Sequence, residues 1–498
     1  MDGLLAGVAI LIEPAMVGVI LLGTMIGIIV GALPGLSGST TAALLLPITI
    51  TMSPVAAIAF LGSIYCAANY GGSITAILVN APGDPSASAT TFDGYPLAAQ
   101  GKAGLALGIS AISSAIGGVV SVFVLIVATP LLAEFAYSFG PPEYFALALF
   151  GLSMLGAVGG DVGLKNLISG TIGLLLATVG IELTTGIERF TFGIPELTDG
   201  LGFVPVLTGL FAMSELLAMI SKRHSKIELL AFEAVKLPTR ADFRKSGKSI
   251  TIGCIVGTIL GILPALGATA SALLAYNESK RWSKYKHEFG KGSIEGIAGP
   301  EAANNAAVGG AMVPTLALGI PGSTTAAIIL AGMIVQGVRP GPHLFNEQPE
   351  FLYAVFASML GANIIYLWLG LVAAKLFARV SLIPPSFLWP SVFVLCAIGA
   401  YAPNQTMIDV WTMLIFGVVG YLMRRHGFSP APLVMGLVLG QMVEETLKQS
   451  LILFDQSWTG FFHRPIVVAL FAITSLSIGW PLLARLVNRL IPKGTAAG

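Results

Sequence analysis

The chain reads as long apolar runs separated by short polar ones. Runs approaching or exceeding the roughly 20 residues that span a bilayer lie at about 14–33, 54–80, 104–133, 143–160, 164–183 and 201–220. Others follow at about 249–263, 297–319, 322–338, 350–380, 385–402, 408–423, 430–447 and 463–488. They do not alternate apolar and polar residues over about ten positions, as a transmembrane barrel strand does. The pattern predicts an all-α polytopic membrane protein in which some shorter runs are half-spans.

Some runs are interrupted in matching ways. Residues 27–45 read GIIVGALPGLSGSTTAALL and 257–275 read GTILGILPALGATASALLA. Gly27, Gly31, Leu33 and Pro34 align with Gly257, Gly261, Leu263 and Pro264 at one offset (264 − 34 = 230). NAPGDPSASAT (80–90) aligns with GIPGSTTAAII (319–329), setting Pro82 on Pro321 and Gly83 on Gly322 (321 − 82 = 239). Proline removes a helical donor, and broken backbone survives in lipid only where protein or a water-filled cavity satisfies it. The interruptions Leu33–Gly38, Asn80–Asp84, Leu263–Ala268 and Gly319–Ser323 are therefore expected inside the protein. Matching breaks in two halves point to a midplane site in a transporter.

The chain divides into a first transmembrane repeat (1–220), a basic junction (221–248), and a second repeat with C-terminal helices (249–498). The junction carries eight Lys/Arg against three acids, which favours the cytoplasmic side. Residues 280–291 are also basic, so 249–276 is expected to enter and return as a hairpin bent at Leu263-Pro264-Ala265. The N-terminal segment carries only Asp2 and Glu13, which favours the outside and makes the halves inverted structural repeats with broken helices at the midplane. Residues 1–13 lack the basic start of a cleavable signal, so the first apolar segment is expected to be retained.

Each break starts a new helix whose first amides are unpaired and partly positive, which suits an anion such as a carboxylate. The candidate substrate-binding residues are Pro34, Gly35, Ser37, Ser39 and Thr40 at the first break, and Pro82 and Gly83 at the second. Pro264, Gly267 and Thr269 serve the third break, and Pro321, Gly322, Ser323 and Thr324 the fourth. Carbonyls freed at the preceding helix ends suit Na⁺, with H⁺ the alternative coupling ion. Candidate cation ligands are Asn80, Asp84, Glu301, Asn304 and Asn305; Asn69 adds an amide oxygen. Asp84 reads as a helix cap or cation ligand before a proton carrier. Glu301 stands one turn before the Asn pair and shares its face. A single Pro-Gly break would read as a kink and its hydroxyls as caps; four at matching positions argue for function. Asp161 and Lys165 read as a loop, and Glu215 and Glu444-Glu445 as structural.

Composition narrows the class. Of 498 residues, 55% are hydrophobic and 10% charged, against about 25% charged in soluble domains; mean hydropathy is +0.86. A net charge of +1 implies no nucleic acid partner. Cys66, Cys254 and Cys396 lie far apart and read as small core residues. There is no transition-metal spacing and no nucleotide-binding G-x-x-x-x-G-K-[ST].

The segments GALPGLSGSTTAALLLPIT, YGGSITAILVNAPGDPSASATTFDGYPLAAQGKAGLAL and EFGKGSIEGIAGPEAANNAAVGGAMVPTLALGIPGSTTAAIILAGMIVQGVRPGPHLF resemble the large membrane subunit of tripartite tricarboxylate transporters, the TctA family. The likeness runs from about residue 14 to beyond 440. Ala265 departs from a position that is more often Gly in the family, and Thr324-Thr325 replace residues that are commonly apolar. The resemblance implies a multi-pass subunit in the bacterial inner membrane, working with a small membrane subunit and a periplasmic solute-binding protein. It implies a secondary importer of small di- and tricarboxylates driven by a cation gradient, not an enzyme. By analogy with helical-hairpin transporters the movement is of elevator type. The rival readings are an anion channel and an intramembrane enzyme.

Overall fold

The structure, a computed structural model, describes residues 12–154, 160–182, 185–221, 234–264, 266–383 and 385–490, with Gly7, Ala9, Ile10 and Leu230. Its first helices are α1 (Pro14–Gly31), α2 (Gly38–Thr49), α3 (Pro54–Val79), α4 (Thr91–Leu97), α5 (Ala103–Ala136), α6 (Pro141–Met154) and α7 (Gly160–Leu176). Next come α8 (Phe203–Ile220), then α9 (Arg240–Ile262), α10 (Gly267–Trp282), α11 (Ile294–Leu318), α12 (Thr324–Val335) and α13 (Pro349–Val380). The last are α14 (Pro385–Tyr401), α15 (Met407–Arg425), α16 (Pro430–Leu453) and α17 (Pro465–Leu490). Among the described residues, β-structure is limited to the antiparallel pair Gly180–Ile181 and Glu188–Arg189.

The chain is an all-α polytopic membrane protein. Among the described residues, six helices are long and apolar enough to cross a bilayer: α1, α3, the α4–α5 rod, α8, α13 and α15. Local chemistry sets their ends. Pro14 and Pro54 occupy first-turn positions of α1 and α3, where the missing amide costs nothing. Ser53 caps α3, and Ser293 caps α11. Both α3 and α11 stop at a left-handed residue, Asn80 (φ 59°) and Gly319 (φ 71°), at matching places in the two halves.

Two compact units emerge. One comprises 1–136 and 202–422, and the other 137–201 and 423–498. The larger unit holds segments from both sequence halves, including all four interruptions. The smaller unit packs Phe145 against Phe461 and links its elements by ion pairs. Glu444 meets Arg189 at 2.6 Å and Lys448 at 2.8 Å, and Lys448 also meets Glu182 at 2.5 Å. Glu143, buried, meets Arg464 at 3.2 Å.

Asp161 and Lys165 fall inside α7, not in a loop. Residues 222–229 and 231–233 of the basic junction lie outside the described residues. From Arg240 the junction is already α9, opened by a capping box between Thr239 and Asp242. The expected hairpin is present as α9 and α10, which pack on each other; its Ala265 lies outside the described residues.

Candidate transport site

Glycines at helical spacing form one seam in each half. Gly23, Gly27 and Gly31 of α1 face the backbone carbonyls of Phe60, Ile64 and Ala68 in α3. Gly253, Gly257 and Gly261 of α9 face those of Gly299, Ala303 and Ala307 in α11. Gly71 faces the Ile28 carbonyl, and Gly310 faces that of Thr258. In all eight cases an added Cβ would lie under 3.0 Å from the oxygen, so any side chain would force the backbones apart. Residues of α1 and α9 correspond at offset 230 (253 − 23), and those of α3 and α11 at 239 (299 − 60). These are the two sequence offsets. Small-residue seams of this kind let membrane helices approach to backbone contact.

The seams carry the interruptions. Gly83, in the second break, packs on the carbonyl of Gly31 at the edge of the first; Gly322, in the fourth, packs on that of Gly261 at the edge of the third. Asp84 ties the first pair more closely. Its Oδ2 accepts the Gly38 amide that opens α2, at 2.8 Å, and its Oδ1 accepts the Ser86 amide at 2.9 Å. The position matching Asp84 in the second half is Ser323 (84 + 239 = 323). Ser323 caps the Ala326 amide at 3.2 Å and meets the Tyr65 hydroxyl of α3 at 2.7 Å, linking the fourth break to the first half. Ala89, just past the second break, packs with Ala272 and Tyr276 of α10.

A polar band extends from the second break through the larger unit. Ser86 donates to Asn69 Oδ1 at 3.1 Å, Asn69 Nδ2 donates to the Asn304 carbonyl at 3.3 Å, and Asn304 Nδ2 donates to the Ser86 carbonyl at 3.3 Å. Asn305 Nδ2 reaches Asn304 Oδ1 at 2.7 Å and the Glu301 carbonyl at 3.1 Å, while Asn305 Oδ1 accepts from Tyr366 at 3.4 Å. The Glu301 carboxylate is fully buried and accepts from the hydroxyls of Thr90 and, at 2.8 Å, Ser114. All 25 residues of α11 are buried, so this carboxylate is held within protein and away from lipid.

The expected site residues fall into distinct settings. Pro264, Pro321, Gly322, Ser323, Thr40, Gly83 and Asp84 are buried; Pro34, Ser37, Ser39, Pro82, Gly267, Thr269 and Thr324 are half-buried; Gly35 and Asn80 are exposed. The fourth break is buried throughout, the third is mostly half-buried, and Gly35 of the first and Asn80 of the second stand at the surface. Ser37 caps the Thr40 amide at 3.2 Å and its hydroxyl meets those of Ser39 and Thr40. The third break differs: α10 begins without a side-chain cap. The second break opens only a three-residue 3₁₀ turn, Pro85–Ala87, capped by Asp84, and not an α-helix.

Several partners were not legible in the sequence. Thr90 and Ser114 reach Glu301 from 211 and 187 residues away. Tyr70 and Tyr366 stack with ring centroids 5.2 Å apart. Asp93 is fully buried, and its Oδ1 accepts the amides of Gly290, Gly292 and Ser293, each at 2.8 Å; its Oδ2 accepts the Tyr276 hydroxyl at 3.0 Å. The GxxxGxxxG spacing of residues 23–31 and 253–261 was the available signal for the seams.

A family model described as "Tripartite tricarboxylate transporter TctA family" matches residues 17–435. An Agrobacterium vitis protein described as "Uncharacterized 52.8 kDa protein in TAR-I ttuC' 3'region" is 39% identical over 452 residues, covering 91% of this chain and 90% of its own. A second from the same organism, "Uncharacterized protein in TAR-II ttuC' 3'region", is 37% identical over 233 residues, covering 47% of this chain and 96% of its own. No solved structure matches the chain.

Proposed function

The chain belongs to the tripartite tricarboxylate transporter TctA family, and we propose that it is the large membrane subunit of a secondary importer of small di- and tricarboxylates in the bacterial inner membrane. The observation that carries this reading is the recurrence of one packing scheme in both halves. Gly83 sits on the Gly31 carbonyl as Gly322 sits on that of Gly261, which brings the interruptions together in pairs. Unpaired amides at such helix starts favour a carboxylate. At the start of α2 a carboxylate from the chain itself, that of Asp84, already holds this position. The start of α10 has no side-chain cap and is the favoured end for substrate.

The coupling ion is Na⁺. It takes oxygen ligands from carbonyls at the breaks and from the Glu301, Asn304 and Asn305 group, with H⁺ as the alternative. The two halves act as inverted repeats and exchange conformations to give alternating access, in an elevator-type movement. A small membrane subunit completes the membrane part, and a periplasmic solute-binding protein delivers the substrate.

Uptake into vesicles holding all three components tests this. With Na⁺ and H⁺ gradients imposed separately, a labelled tricarboxylate accumulates under the Na⁺ gradient. Uptake indifferent to Na⁺ removes the sodium assignment. Unsaturable flux with single-channel currents replaces the carrier with an anion channel.

A further inference from the structure

Apart from the breaks and the Glu301 band, the larger unit has a cavity of about 450 Å³ where the α4–α5 turn, the first turns of α9 and the loop before α11 meet. Six charged or titratable side chains line it: Lys102, Asp242, Lys245, His287, Glu288 and Lys291. The two acids are already engaged. Asp242 accepts from the amide and hydroxyl of Thr239 at 2.8 and 2.7 Å, and Glu288 pairs with Lys245 at 2.6 Å. Among the described residues, the side chains of Lys102, His287 and Lys291 have no partner. The lining carries three lysines against two carboxylates, a net +1 with His287 neutral, and the ammonium groups of Lys102 and Lys291 stand beside it without an ion-pair partner among the described residues.

Its surroundings indicate the kind of anion. Lys245 lies over the Tyr285 ring at 4.3 Å and Lys248 over the Trp282 ring at 5.3 Å, and both aromatic rings are exposed. Exposed Trp and Tyr beside lysines mark the level of lipid headgroups. On α9, the Lys248 face continues into Ile255 and Ile259, which are 56% and 55% exposed. Residues seven and four apart share one side of a helix, so an exposed apolar stripe runs along α9 from Lys248, which is itself one turn beyond the cavity-lining Lys245. A free anion has no use for that stripe; a diacyl lipid fits both parts.

We propose that this cavity binds the phosphate diester of an anionic phospholipid, with Lys102 and Lys291 as its principal contacts and the Ile255–Ile259 stripe receiving an acyl chain. Its lining shares no residue with the candidate carboxylate and cation ligands.

The test is lipid binding to the purified full chain in detergent, followed by native mass spectrometry and thermal unfolding, with phosphatidylglycerol, phosphatidylcholine and inorganic phosphate added separately. Phosphatidylglycerol is expected to bind and stabilise, while the other two have little effect. Lys102→Gln and Lys291→Gln each weaken phosphatidylglycerol binding about fivefold; Lys375→Gln, on α13 and outside the cavity, does not. Equal binding of phosphatidylcholine would overturn the proposal. So would full competition by inorganic phosphate, or unchanged binding in a folded Lys102→Gln/Lys291→Gln double variant. Because the readout is lipid binding, a failure here leaves the transport reading untouched, and the reverse also holds.

Discussion

The Asp84 carboxylate and the Gly38 amide meet at 2.8 Å across 46 positions of sequence. The contact closes the second interruption onto the first and supplies negative charge to the positive end of α2. Both partners are buried, so water cannot replace the bond. Asp84→Ala is expected to lower stability by about 1–3 kcal/mol, and Asp84→Asn by less, since an amide oxygen still accepts one of the two bonds. Equilibrium unfolding in detergent checks this; identical stability of the alanine variant and the parent would remove the staple.

Gly322→Leu introduces a side chain whose first carbon falls 2.7 Å from the Gly261 carbonyl oxygen and from the Ala311 Cα. Those neighbours are backbone and cannot rotate aside. The variant is expected to insert in the membrane at normal levels yet lose most carboxylate uptake. Immunodetection in membranes beside an uptake assay separates the two effects, and full uptake would strip the fourth break of its assigned role.

Asn305→Ala removes the donor to Asn304 Oδ1 and the acceptor for Tyr366. An orphaned buried polar group costs roughly 1–3 kcal/mol, and the band loses its bridge between Glu301 and the Asn304 amide. Uptake is expected to fall several-fold, with a milder loss in Tyr366→Phe. A Tyr366→Phe loss equal to that of Asn305→Ala would shift the role onto the phenol.

Asp93→Ala leaves the amides of Gly290, Gly292 and Ser293 and the Tyr276 hydroxyl without their acceptor. The loss is expected to exceed about 3 kcal/mol, since several buried donors are orphaned together. Amide exchange at 290, 292 and 293 should accelerate. Slow exchange at those amides in the variant would mean that the turn holds itself.

Span positions were legible because lipid imposes a simple rule: long apolar runs become helices. The run expected at 54–80 is α3 at Pro54–Val79, and 350–380 is α13 at Pro349–Val380. The interruptions were legible from proline and glycine alone. The partners of Glu301 were not, because Thr90 and Ser114 are ordinary hydroxyl residues far away in sequence, and many such residues cap or pack. Asp93 was missed for a related reason: three of its four partners are backbone amides, which leave no mark on residue type. Asn80, expected as a cation ligand, is the exposed left-handed residue that ends α3. Its setting follows from chain geometry at a helix end, which a residue type that fits either role does not reveal.

The glycine seams also limit how this molecule can deform. Sliding α1 by one residue while turning it by about 100° would bring Thr24, Ile28 or Ala32 onto carbonyls that an added Cβ already meets under 3.0 Å, and the same holds for α9 on α11. Each pair is meshed like a rack and must travel as one stiff block. Backbone outside the teeth is less tightly packed: Gly101, with a φ of 80° and nothing within 4 Å of an added Cβ, kinks the rod between α4 and α5.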